Sequence, residues 1–177
     1  MGVAVSTKNI SQSNVATQVE TDKLPAELVT GSPLEDYLPY QLFRIVNRLT
    51  LNLKNDLRPV KMTLARWRTL SVLNAEDGRS MGELSTYMVI EQPALSRIVD
   101  QMERDQLVTR RHASNDNRVI RVFLTPAGRR MFKEIRPLEL HHYAQLIEGL
   151  EPGELQQLEK SLHLLWQNID HSSTGSI

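Results

Sequence analysis

The sequence predicts a mainly α chain of the α+β class, in which long helices flank a helix-turn-helix that carries a two- to three-stranded β-wing. Three observations carry that expectation. Ser80-Met81-Gly82-Glu83 and Gln92-Pro93 each open a short helix, with a tight turn between them. Leu107–His112 and Val119–Leu124 are strand-like runs separated by the polar stretch Ala113–Arg118. Apolar stripes at helical spacing occupy the segments on both sides of this block, as a frame pairing two such units would require.

A chain of 177 residues with 40% hydrophobic content fits one domain with its own core. The 21 basic and 21 acidic residues cancel, which argues against bulk adhesion to nucleic acid, but their distribution is uneven. Between Thr109 and Arg136, eight Arg and Lys face two acids, whereas Pro137 to Asp170 holds six acids and one Lys. One half suits phosphates and the other does not. The absence of cysteine excludes disulfides, thiolate zinc sites and thiol redox sensing. The start, MGVAVSTKNISQSNVATQ, lacks an apolar signal core, and no apolar run approaches the ~20 residues needed to span a bilayer. A cytoplasmic protein with no membrane partner is expected.

Residues 1–32, rich in Ser, Thr, Asn and Gln, read as a flexible tail. A helix is expected from Pro33 to Leu57, where Leu38, Leu42, Ile45, Leu49 and Leu53 form an apolar stripe. Beside it run Tyr37, Tyr40, Arg44 and Arg48. Two readings of these stay open: a solvated or subunit-facing surface, or an aromatic and cationic wall for an anionic aromatic ligand. Thr63 is a fitting N-cap for a helix ended by Gly78, and Trp67 within it suits the core or the edge of a pocket. Ser80 and Glu83 match a capping box. In the helix that Pro93 introduces, Leu95, Ile98, Val99 and Met102 share one face, leaving Gln92, Ala94, Ser96, Arg97, Gln101 and Arg104 largely outward. Thr125-Pro126 opens a helix bent at Pro137, and Glu151-Pro152 opens the last one, whose Leu155, Leu158, Leu162, Leu165 and Ile169 keep heptad-like spacing. Residues 62–124 thus form a core and wing between frame helices at 33–57 and 125–170, and 171–177 read as a second flexible tail.

This order of elements resembles the MarR family of winged-helix transcriptional regulators. Asp116-x-Arg118-x5-Leu124-Thr125-x2-Gly128 resembles the family's wing signature, and Leu95–Arg111 its recognition helix and first wing strand. Gln106 departs from the Gly usual there and must take a less relaxed turn. The resemblance covers about residues 35–170 and implies a homodimer on double-stranded DNA. It implies repression through a pseudo-palindromic operator, and release by a small ligand that changes the spacing of the recognition helices. Gln92, Ala94, Ser96 and Arg97 are then placed to reach base edges or phosphates in the major groove. Arg118 is placed at the wing tip to enter a minor groove, with Asp116 orienting it or a nearby Arg by an ion pair. Arg110, Arg111 and Arg121 are either phosphate contacts or a solvated strand face. For the effector, an aromatic carboxylate or aromatic acyl-CoA, the candidate contacts are Tyr40, Arg44, Arg48, Trp67 and Arg68.

Two rival classes have sequence correlates. Glu139 and His142, with His141 or His163, could hold a metal in a metal-responsive member, although polar packing explains them as simply. An enzyme lacks support, because there is no phosphate loop, H-E-x-x-H or G-x-S-x-G. No cofactor is expected. A winged helix used for protein–protein contact would make Arg97 and Arg118 dispensable for DNA affinity.

Overall fold

Prolines and capping residues set where the helices of this chain begin. A computed structural model describes residues 33–113 and 116–174, the side chains of 113, 116–117 and 171–174 excepted. The expected tail at 1–32 lies outside these residues. The chain divides into two compact units, one ending at Asn47 and the other starting at Arg48.

A 3-10 turn, Leu34–Asp36, precedes helix α1, Leu38–Leu57, whose residues up to Asn47 belong to the first unit. The helix begins five residues later than Pro33 suggested. Pro39 explains this: its missing N–H and rigid ring are tolerated only in a first turn. Tyr37 is extended, and its carbonyl accepts from the Tyr40 and Gln41 amides. Leu38, Phe43, Ile45 and Val46 are exposed.

The second unit holds the core. Helix α2, Leu64–Ala75, starts at Thr63, whose hydroxyl accepts from the Arg66 amide at 3.3 Å. It buries Trp67, Thr69, Leu70 and Leu73, and Trp67 stacks on Phe132 with centroids 5.2 Å apart. Strand β1, Arg79–Ser80, leads into α3, Met81–Met88, through the expected capping box, both halves of which are formed. Helix α4 is Gln92–Arg104 and buries Leu95, Val99 and Met102. Strands β2, Val108–Ala113, and β3, Asp116–Leu124, complete an antiparallel sheet in the order β1-β3-β2. The wing turn is shorter than expected. Ala113 already faces Asp116 across the hairpin, past a register shift after His112. Asp116 and Arg118 therefore belong to a strand rather than to a six-residue loop.

Helix α5, Pro126–Leu146, is capped by Thr125 and contains Pro137; α6 runs Pro152–Thr174, four residues beyond the boundary expected at 170. The Thr-x2-Gly pair of the wing signature has a packing cause. Thr125 Oγ1 donates to the carbonyl of Gln106 at 2.6 Å and accepts from the Gly128 amide at 3.0 Å. A Cβ on Gly128 would stand 2.1 Å from the Leu107 carbonyl oxygen. Only glycine lets α5 start this close to the chain that leaves α4.

Candidate nucleic-acid interface

Helix α4 has 13 residues and is ~20 Å long, a length that lies within a major groove. Its buried face packs on the core, so the opposite face is the one available. Gln92 and Arg97 are exposed, and Ala94 and Ser96 are half-buried. Arg97 makes no ion pair or hydrogen bond with another described residue. It is an exposed cation on the face turned from the core, which suits a phosphate or a guanine edge.

Charged contacts fix this helix at two further places. Arg66 of α2 meets Asp105, just past its end, at 2.5 Å. Arg110 of β2 reaches Asp100 at 2.7 Å and Glu103 at 2.9 Å, and donates to the Ser96 carbonyl at 3.3 Å. The Arg110 amide also donates to Glu103 at 2.9 Å. Arg110 and Arg111 read alike from their residue type and strand position, and the structure separates them. The Arg110 guanidinium is committed to α4, where it joins wing to helix and answers two carboxylates that would repel phosphate. Arg111 is exposed, with its guanidinium 5.1 Å over the Phe123 ring. Asp100 and Glu103, three apart on α4, were the available signal for this clamp.

Arg121, though partly exposed, also has partners, donating to the Gly78 carbonyl at 2.7 Å and lying 3.7 Å from Glu83. Arg118 is exposed on β3. The orienting role expected of Asp116 concerns a side chain outside the described residues. Glu83 accepts from the Ser80 amide at 2.6 Å, and this bond holds its carboxyl below the ordinary range, helped by the Ser80 hydroxyl and by Arg121 and Arg79 against a small effect of burial.

Among the described residues, three that are not glycine take a positive φ: Lys61, Val89 and Gln106. Gln106 shows the strained turn that its departure from the family pattern implied. Val89, β-branched at φ 51, ends α3 in the turn before α4. Neither its strain nor the place of the third strand, β1, was legible beforehand.

The expected ligand contacts take different places. Arg44 lies 5.9 Å over the Tyr40 ring, which stacks on Phe43. Arg48 is exposed, and Arg68, also exposed, donates to Thr50 Oγ1 at 3.4 Å. Trp67 is 1% exposed, so of its two readings the core is the one realised. Of the metal candidates, Glu139 pairs with Arg136, His142 meets Asp56 at 2.7 Å and His163 meets Gln167 at 3.0 Å. Among the described residues, no three His, Asp or Glu side chains gather as a metal site would need. No described helix is long and apolar enough to cross a membrane.

Comparison with known proteins agrees with this geometry. The sequence model of the MarR family matches residues 61–118. A transcriptional repressor of Pseudomonas putida, IacR, is 27% identical over 77% of this chain and 81% of its own. A MarR-family transcriptional regulator from Silicibacter pomeroyi, known as a crystal structure, is 33% identical over 82% of this chain and 95% of its own, with a TM-score of 0.73. The fold also matches MepR of S. aureus, solved in complex with DNA, at a TM-score of 0.70 and 19% identity over 78% of this chain and 99% of that one. These relatives are regulators of transcription, not enzymes. A winged helix-turn-helix shared at that identity along nearly all of the Silicibacter protein makes this chain a member of the MarR family of transcriptional regulators.

Proposed function

We propose that the chain acts as a homodimeric repressor, holding a pseudo-palindromic operator and leaving it when a small ligand binds. The observation that carries this reading is the exposed Arg97 on a helix whose other face is buried and whose flank is pinned by Arg110. In the groove Gln92 and Arg97 read or hold the DNA, Ala94 and Ser96 allow close approach, and Arg111 and Arg118 of the wing meet the backbone or the minor groove. A two-fold dimer sets two such helices one DNA turn apart. Exposed apolar side chains support the dimer: Phe43 and Ile45 in the first unit, and Leu140, Leu146, Leu158 and Leu162 in the second. MepR, a fold neighbour, binds DNA.

For the effector, an aromatic carboxylate or aromatic acyl-CoA, each unit offers its own anchors. Arg44 stands beside Tyr40 in one, and Arg48 and Arg68 are exposed in the other. Trp67 stays in the core.

A salt-dependent gel shift on the DNA upstream of the protein's own gene tests the reading. A specific shift that Arg97→Ala weakens by roughly 10- to 100-fold, the cost of one good base contact, supports it. A folded dimer that gives no specific shift overturns it.

A further inference from the structure

We propose that Glu91, the residue from which α4 starts, selects a cytosine in the major groove and so sets part of the base preference of the operator. The inference rests on the regulator reading. Helices α2, α3 and α5 start at Thr63, Ser80 and Thr125, whose hydroxyls each accept a backbone amide of the first turn. Glu91 holds the same position on α4 and makes no such bond. Its carboxylate forms no ion pair or hydrogen bond with another described residue. Its carbonyl accepts from the Ala94 and Leu95 amides, both at 3.0 Å, which fixes the backbone that carries the side chain. That backbone is extended, at φ -60 and ψ 137, and Glu91 stands exposed next to the exposed Gln92. A place where a hydroxyl would stabilise the helix is therefore held by a charge whose one service to the fold is its attraction to the positive helix end.

The position of this charge decides what it can do. The first residues of a recognition helix lie nearest the base edges. A carboxylate offers acceptors only and is repelled by phosphates, so Glu91 cannot add to backbone affinity. Its gain must come from a donor. The major groove presents two, the N6 amino group of adenine and the N4 amino group of cytosine. Adenine N6 lies between two acceptors, its own N7 and O4 of the paired thymine. Cytosine N4 has one such neighbour, guanine O6, and a C–H on its other side. The carboxylate thus meets least repulsion at cytosine. Gln92 and Arg97 can also hold phosphate on any sequence, whereas Glu91 opposes binding wherever its cytosine is missing.

A pool of duplexes with a randomised core, selected by the full chain and by its Glu91 variants at one salt concentration, tests this. The expected operator holds a cytosine in each half-site that the native chain prefers over other bases by about 5- to 30-fold, the lower range for a mismatched pair. Glu91→Ala should level that preference, leave the other positions as they were and bind random-sequence competitor more tightly. Glu91→Gln should admit adenine there, because an amide pairs with N6 and N7 together. If Glu91→Ala weakens binding to all sequences alike and keeps every base preference, Glu91 acts on the helix end alone and the proposal is overturned. It is overturned equally if the position that responds to Glu91 is not a cytosine. A selected operator that Glu91→Ala leaves unchanged removes this inference only. A native chain that selects no sequence overturns the operator reading and this inference with it.

Discussion

The α4–wing region and the frame helices solve opposite problems. Around α4 each strong charge near the core has an answer: Arg66 meets Asp105, Arg110 meets Asp100 and Glu103, and Arg121 meets the Gly78 carbonyl. What remains outside is Gln92, Arg97 and Arg111. On α5 and α6 large apolar side chains stand exposed among the charged ones: Leu140, Leu146, Leu158, Leu162 and Ile169. The first region is finished within one chain and presents selected cations. The second leaves a surface that water disfavours, which is why a second copy is the partner we propose for it.

The sharpest way to break the finished region is through Gly128. With Leu107 carbonyl 2.1 Å from any added Cβ, α5 must shift away from the end of α4. Gly128→Ala should cost about 3 kcal/mol by chemical denaturation, the upper range for overpacking against groups that cannot move aside. Leu162→Asp in the frame should leave the stability of the protomer within about 0.5 kcal/mol, as surface changes do, yet shift the assembly towards monomer in light scattering. If both substitutions behave alike, the contrast between the regions is false.

Next in size is the contrast between neighbouring arginines. Arg110→Ala leaves Asp100 and Glu103, which are only partly exposed, without a counter-charge. A loss of ~1–2 kcal/mol is expected, below that of a buried pair because solvent screens both carboxylates. Arg111→Ala should change stability by less than about 0.5 kcal/mol while lowering the salt slope of DNA binding by about one charge. Equal effects on stability would mean that the clamp does not hold the helix.

Much of this arrangement was legible in the sequence because it is local. Capping at Thr63, Ser80 and Thr125 depends on residues within one turn, and the amphipathic face of α4 on its own spacing. The strained turn at Gln106 could be anticipated where a glycine is usual. The Arg110 clamp joins residues seven to fourteen apart on different elements, and β1 is strand only because β3 lies beside it. Neither has a local signature. The start of α1 does have one, since Pro39 is tolerated only in a first helical turn.

Val89 tests whether the turn before α4 is part of the finished region. Its left-handed backbone brings a β-branched Cβ against its own carbonyl, at a cost of about 1–2 kcal/mol. Glycine removes that clash but gives up some chain entropy. Val89→Gly should therefore gain about 0.5–1 kcal/mol in denaturation, and a loss would show that the valine side chain makes a compensating contact.

The smallest effect lies at Glu83, and its sign is fixed by the capping box. The Ser80 amide favours the charged carboxylate, so the folded pKa lies below that of the unfolded chain. Protonation is then more favourable in the unfolded state. The contribution is fully present above the ordinary carboxylate range and fades as pH falls through the folded pKa. Because the side chain is 51% exposed, the stabilisation is discounted to roughly 0.5 kcal/mol. Denaturation midpoints of the native chain and of Glu83→Gln should therefore differ at pH 7 and converge in acid. A constant difference across that range would mean that Glu83 stabilises α3 through its shape rather than its charge.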